Sequence, residues 1–174
     1  MFTRHLDQAV LAHFKKYQEV LILLGARQVG KTTLLQRLFP HSQYFLVDSE
    51  PIKHGLERYD QSAYGQLLKN DPPLIVVDEI QRLGDPGRAA KIIYDQMPQF
   101  KLIVTGSSAF NIKNKASESL AGRKIDYHLY PLTLSEYLVQ SGLENKSFKL
   151  KKTFRGRSQL AVQKVVAARQ IMAA

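Results

Sequence analysis

The chain has 174 residues, no cysteine, 44% hydrophobic residues and a formal net charge of +10. That length suits one domain with a sizeable core, the missing cysteines exclude disulfides and thiolate metal sites, and no apolar run is long enough to span a bilayer or to act as a secretory signal. The charge is uneven, with +7 on residues 143–174 and +3 on residues 1–142. The expectation is a cytoplasmic protein without membrane association: a nearly balanced domain over 1–142, then a basic tail that either contacts a nucleic-acid backbone or is simply solvated.

Leu6, Val10, Leu11 and Phe14 recur at helical spacing and predict an amphipathic helix over residues 3–17. Val20 to Leu24 reads as a buried strand, and Thr33 to Phe39 as a helix. Tyr44 to Val47 is a second strand, closed by Asp48-Ser49-Glu50-Pro51. Residues 52–70 are polar and helical in pieces, around Tyr64 to Leu68, and Asn70-Asp71-Pro72-Pro73 breaks the chain. Leu74 to Val77 is a third strand, apolar throughout, as in a parallel sheet covered on both faces. Arg88 to Met97 reads as a helix with Ala89, Ile92, Ile93 and Met97 inward. Lys101 to Val104 is a fourth strand, and a fifth lies near 125–130 after a polar stretch. Thr133 to Gln140 is a short helix, and residues 158–174 favour helix. Strands alternating with helices define the α/β class: three α/β/α layers around a five-stranded, mainly parallel sheet.

The residues Gly25-Ala26-Arg27-Gln28-Val29-Gly30-Lys31-Thr32 match G-x-x-x-x-G-K-[ST] at every fixed position, between a strand and a helix. Backbone amides of such a loop wrap a β-phosphate, and the positive end of the helix dipole faces the same oxygens. Gly25 and Gly30 are expected to permit backbone angles that a Cβ forbids. Lys31 can reach β- and γ-phosphates, and the Thr32 hydroxyl can serve Mg²⁺.

Asp78 and Glu79 end the third strand, at the edge where open α/β sheets bind ligands, so Asp78 should meet the loop. Asp78 suits Mg²⁺ binding. Glu79, pointing away from it on an extended backbone, suits polarising a water in line with the γ-phosphate. At the end of the fourth strand, Thr105, Ser107 and Ser108 are candidate γ-phosphate sensors, with Ser107 favoured. Arg123 is a candidate for stabilising charge in transfer, at its own site or a neighbour's. Arg27 could face phosphate or a partner. The five histidines show no metal-ligand spacing and read as structural or exposed.

Gly-Ala-Arg-Gln-Val-Gly-Lys-Thr-Thr-Leu-Leu, Val-Val-Asp-Glu-Ile-Gln-Arg-Leu, Val-Thr-Gly-Ser-Ser and Leu-Ala-Gly-Arg…Tyr-Pro-Leu-Thr-Leu-Ser-Glu-Tyr occur in that order. Over about residues 4–140 the chain resembles the AAA domain of a large prokaryotic family of AAA+-type ATP-binding proteins, usually followed by a C-terminal domain of unknown function. The resemblance implies a P-loop NTPase fold, ATP and Mg²⁺ bound by residues 25–33, and Asp78 and Glu79 as metal-associated and catalytic carboxylates. It also implies a functional Arg123, and a homo-oligomer of the kind in which one subunit's arginine completes a neighbour's site. Ala26 stands where that family commonly has Pro, and Ser-Ser-Ala stands at 107–109 in place of three serines. Relatives of this kind run to roughly twice this length. No acid follows Glu144, which suggests a truncated member whose tail replaces the original lid; a short helical lid is the alternative. ATP hydrolysis is the leading expectation. A nucleotide-binding scaffold without turnover is the second, and a small-molecule kinase with Asp48 as acceptor group the third.

Overall fold

The structure, a computed structural model, describes residues 3–107 and 119–141. The expected basic tail, its helix and Ser108 lie outside the described residues. Five strands form one sheet in the order β2-β3-β4-β1-β5, every neighbouring pair parallel. They are β1 (Val20–Leu24), β2 (Gln43–Leu46), β3 (Leu74–Asp78), β4 (Lys101–Gly106) and β5 (Lys124–His128). The helices are α1 (Asp7–Lys16), α2 (Lys31–Leu38), α3 (Glu50–Leu56), α4 (Gln61–Leu67), α5 (Pro86–Gln96) and α6 (Leu134–Gln140). A short 3₁₀ turn over Ile80–Arg82 follows β3.

The period of two along each central strand divides the core into two layers. Val20, Ile22 and Leu24 of β1, Ile75 and Val77 of β3, and Leu102 and Val104 of β4 pack with Leu56, Ala63, Tyr64, Ala89 and Ile93 from α3 to α5 and with Met97 just after α5. The intervening Leu21, Leu23, Val76 and Ile103 pack with Val10 of α1 and Leu34 and Leu35 of α2. All five residues of β1 are fully buried. Such burial on both faces is why β1, β3 and β4 read as continuous apolar runs.

Four expectations shift in detail. Leu6, the residue before α1, and Val10 and Phe14 within it face the core, four residues apart, whereas Leu11 lies off that stripe and is 42% exposed. Asp48-Ser49-Glu50-Pro51 does more than close β2: Pro51 sits in the first turn of α3, where its missing N–H costs nothing. α2 begins at Lys31, two residues before the expected start, so both Lys31 and Thr32 belong to its first turn. The polar region before β3 resolves into two helices, the second capped by Asp60, whose Oδ1 accepts from the Ala63 amide at 3.0 Å.

Ile103, fully buried between two neighbours in the sheet, tests the core. Ile103→Ala is expected to lower unfolding free energy by about 2–5 kcal/mol, and Asp60→Ala by about 1 kcal/mol through loss of the cap. Urea midpoints of the two variants check the ranking; an equal or larger loss for Asp60→Ala would contradict it.

Candidate functional site

Register brings the site together. Leu24 of β1 is level with Gly106 of β4, and Leu23 with Thr105; one strand further, Val77 of β3 is level with Val104. The C-terminal ends of β1, β4 and β3 therefore lie side by side, with Thr105 next to Asp78. The chain leaves β1 at Gly25, whose amide donates to the Gly106 carbonyl at 3.3 Å. It then turns through the loop into α2.

The two glycines act for different reasons. Gly30 has φ +93°, the left-handed conformation that lets the chain enter α2. Gly25 does not use such an angle, contrary to expectation. Its role is close approach, since a Cβ there would lie 2.4 Å from the Leu129 carbonyl oxygen. Gln28 also takes a positive φ, +64°, so the loop carries backbone strain at a residue with a side chain. Ala26, Arg27, Gln28, Thr32 and Thr33 are exposed, and Val29 is half-buried. Arg27 thus lies on the open side of the loop.

Asp78 is 1% exposed and is the centre of the polar network. Thr32 Oγ1 donates to its Oδ2 at 2.7 Å, Tyr44 Oη donates to the same oxygen, and Thr105 Oγ1 donates to Oδ1. Three hydroxyls thereby satisfy a carboxylate that burial would otherwise destabilise. Tyr44 comes from β2, at the far side of β3. Burial first, and then its bond to Asp78, push its phenol above the ordinary value, so it stays a donor. Thr105 also accepts from the Glu79 amide at 3.0 Å, which commits its hydroxyl to the ends of β3.

Lys31 is 4% exposed, and its Nζ donates to the carbonyls of Gly25 at 3.0 Å and Ala26 at 3.1 Å. Glu79 Oε1 lies 3.9 Å from the same Nζ. The backbone at Glu79 is left-handed (φ 59°, ψ 42°), not extended as expected. The strand ends at Asp78, and this single strained residue turns the Glu79 side chain toward Lys31, where Gln81 Nε2 also donates to it. Ser107 follows directly on β4 and is half-buried.

Arg123 is not brought to this edge. Its carbonyl accepts from the Val20 amide at 2.8 Å, at the start of β1, whereas the loop leaves the end of that strand. Four residues of strand separate the two, roughly 13 Å. The Arg123 guanidinium pairs with Asp95 at 2.9 Å. The same-chain alternative for Arg123 therefore has no geometric support. Asp48 forms a partly exposed ion pair with Arg82. His13 is buried, between Tyr127 Oη at 3.1 Å and the Glu19 carbonyl at 2.8 Å, and burial lowers its pKa; the other four histidines are exposed.

Two residues that sequence reasoning passed over hold the loop from behind. Arg4, ahead of α1, donates through Nε to Glu136 Oε1 at 3.1 Å, through one terminal nitrogen to the Val29 carbonyl at 3.1 Å and through the other to the Tyr130 carbonyl at 2.5 Å. Glu136 lies in the first turn of α6 and completes a capping box with Thr133. The Thr133-x-x-Glu136 spacing was the available signal; an isolated Arg near the start of an amphipathic stretch offers none. A cleft of about 310 Å³ opens beside the loop, lined by Arg4, Gly30, Thr33, Leu34, Arg37 and Leu132.

An all-parallel sheet with this strand order, and a phosphate-loop sequence at the end of β1, define a P-loop NTPase. Residues 17–138 match the model of the family described as "AAA domain", and the chain belongs to that family. A relative in Methanocaldococcus jannaschii, "Uncharacterized protein MJ1637", is 31% identical over 135 residues, covering 70% of this chain and 28% of the relative. One in Haemophilus influenzae, "Uncharacterized protein", is 25% identical over 152 residues, covering 79% of this chain and 37% of the relative. The chain thus spans well under half the length of these curated relatives. Among solved structures, the STAND signal-transduction ATPase with a tetratricopeptide repeat sensor from Pyrococcus horikoshii aligns at TM-score 0.51 and 17% identity, over 85% of this chain and 26% of that one. A katanin structure aligns at TM-score 0.50 and 15% identity, over 83% of this chain and 57% of that one. Both likenesses concern the fold.

Two outcomes test this geometry. Gly25→Ala drives a Cβ against backbone, which cannot move aside cheaply. It is expected to cost about 1–3 kcal/mol of stability, and unchanged thermal unfolding would refute the close-approach reading. For Glu136, burial raises the carboxyl pKa, but bonds from Thr133, His5 and Arg4 outweigh it and hold it at about 2, against an ordinary 4.5. A depressed folded value means stability that is complete above 4.5 and lost as pH falls toward about 2. Urea titrations across that window should show a steeper loss in the wild type than in Glu136→Gln; equal slopes would sink the assignment.

Proposed function

We propose that this domain binds ATP with Mg²⁺ at the C-terminal edge of the sheet and hydrolyses it to ADP and phosphate. The observation that carries this reading is the 2.7 Å contact between Thr32 Oγ1 and Asp78 Oδ2, which joins the loop to the acidic end of β3 beside Lys31 and Glu79. A hydroxyl and a carboxylate are hard oxygen donors, the set that suits Mg²⁺ with its retained waters and phosphate oxygens. Among the described residues no group of three or more His, Cys, Asp or Glu is arranged to hold a metal, so Thr32 and Asp78 would share the ion with the triphosphate. When bound, Mg²⁺ neutralises charge on the β- and γ-oxygens.

The chain's own groups then divide the work. Within the Gly25–Thr33 segment, the amides beyond Gly25 and those of the first turn of α2 bind the β-phosphate, the Gly25 amide being held by the Gly106 carbonyl. Lys31, resting on two carbonyls of its own loop, exchanges them for phosphate oxygens. Glu79 orients a water and accepts its proton. The Thr105 hydroxyl is committed to Asp78, which leaves Ser107, the favoured candidate, or Ser108 to contact the γ-phosphate. The cleft beside Gly30 and Thr33 takes the base and ribose. Arg123, at the opposite edge, serves a neighbouring copy in a homo-oligomer; the katanin structure is described as one of self-assembly, and the likeness in fold suggests the arrangement. The basic residues 143–174 are the segment proposed for contact with nucleic acid, and the cytoplasm is the proposed compartment. Among the described residues no helix is long and apolar enough to cross a membrane.

Phosphate release from Mg–ATP, with and without DNA, tests this. Glu79→Gln should keep nucleotide bound while lowering turnover by about 10²–10⁴-fold, and Lys31→Ala should lose most affinity. Equal turnover by wild type and Glu79→Gln removes the assigned base. Tight binding with no turnover in the wild type points to a nucleotide-binding scaffold, and phosphate passed to an added metabolite points to a kinase.

A further inference from the structure

Arg4 lines the cleft beside the loop, but no step of the proposed chemistry uses it. It is 9% exposed, every nitrogen of its guanidinium is engaged, and its three acceptors lie on three separate parts of the chain: the phosphate loop at Val29, the segment after β5 at Tyr130, and α6 at Glu136. The surroundings fix it in place. The Arg4 amide donates to Asp7 Oδ2 at 3.1 Å, and Asp7 Oδ1 accepts from Arg37 of α2 at 2.6 Å. Glu136 accepts the His5 amide at 2.8 Å as well as the Arg4 guanidinium. The side chain is therefore pre-organised, with its charge balanced by a carboxylate that is 5% exposed.

The Val29 carbonyl is the informative partner. In a planar trans peptide, the C=O of one residue and the N–H of the next point to opposite sides. Holding the Val29 carbonyl against Arg4 therefore turns the Gly30 amide the other way, away from Arg4. Gly30 needs such a constraint. Without a Cβ, at φ +93° and with open space around it, Gly30 can adopt other backbone angles, and the peptide between it and Val29 could otherwise rotate. A charge-assisted bond from a buried guanidinium to that carbonyl is the device that selects one orientation.

We infer that Arg4, held by Glu136, is a positioning residue that aims the Gly30 amide at the β-phosphate of a bound nucleotide and ties the loop to the N-terminal segment and α6. The inference rests on the nucleotide-binding reading above. It assigns Arg4 no contact with the reacting atoms.

The experiment uses the full chain and two readouts: the Gly30 amide resonance in ligand-free protein, and affinity for Mg–ADP and for magnesium pyrophosphate, which has no base. Arg4→Met should shift the Gly30 resonance and weaken both ligands about tenfold. Arg4→Lys, which keeps the charge and loses the planar fork, should fall between Arg4→Met and wild type. Asp60→Ala, a destabilised control far from the loop, should lower the melting temperature and leave both affinities unchanged. If Arg4→Met is destabilised like Asp60→Ala but keeps its Gly30 resonance and its affinities, the inference is overturned. A loss confined to Mg–ADP overturns it too, because it would mark a contact with the base. Should Arg4→Met fail to fold, Arg4→Lys and Glu136→Gln carry the same comparison. Wild-type protein that binds neither ligand would refute the nucleotide reading. The Gly30 resonance would still judge the Arg4 contact, a shift in Arg4→Met supporting the clamp and an unmoved signal removing it.

Discussion

A carboxylate sealed from solvent needs partners, and Asp78 obtains three hydroxyls from three different elements: Thr32 from α2, Tyr44 from β2 and Thr105 from β4. This requirement organises the whole edge. It holds the first turn of α2 against the end of β3, keeps β4 between β1 and β3, and brings β2 in from the outer side. Removing the carboxylate's partners one by one would leave a buried charge, and burying the network without the carboxylate would strand the hydroxyls. The polar centre and the apolar layers beneath it are consequently a single structural unit.

Around that centre the loop is gripped from two sides. In front, Lys31 bonds the Gly25 and Ala26 carbonyls, with Glu79 at 3.9 Å. Behind, Arg4 holds the Val29 carbonyl, and the Leu129 carbonyl leaves no room for a Cβ on Gly25. Lys31 satisfies itself on backbone oxygens that a phosphate would have to replace, which is a modest exchange because both are oxygen acceptors. The left-handed backbones at Gln28 and Glu79 show where strain is stored, one in the loop and one at the acidic turn facing it. Strain of this kind persists where surrounding contacts over-determine the conformation, as the bonds of Glu79 to Thr105 and Gln81 do.

The opposite edge has a different character. Arg123 and Asp95 form a partly exposed pair near the start of β5, whose burial pattern is that of an outer strand. At the loop's own end of the sheet, by contrast, exposed apolar side chains collect after β5 and on α6: Tyr130 at 69%, Leu134 at 53% and Val139 at 45%. The matched relatives extend well beyond the span of this chain.

The sequence by itself determined the α/β class, the parallel sheet and the convergence of the loop with the end of β3. Continuous apolar runs in Val20–Leu24 and Leu74–Val77 demand a sheet covered on both faces, and the G-x-x-x-x-G-K-T spacing demands a strand-to-helix turn. These are local signals, carried by consecutive residues. Other features are long-range and leave no local trace: Tyr44 reaching Asp78 across a sheet neighbour, Arg4 reaching Val29, Tyr130 and Glu136, and Gly25 needed for space and not for angle. Arg123 shows the same limit from the other direction. Its neighbours in sequence recommend it, while its place at the start of β5 holds it roughly 13 Å along β1 from the loop. Strand order and register decide which distant residues share an edge, and those depend on packing the whole sheet, which no short window of sequence contains.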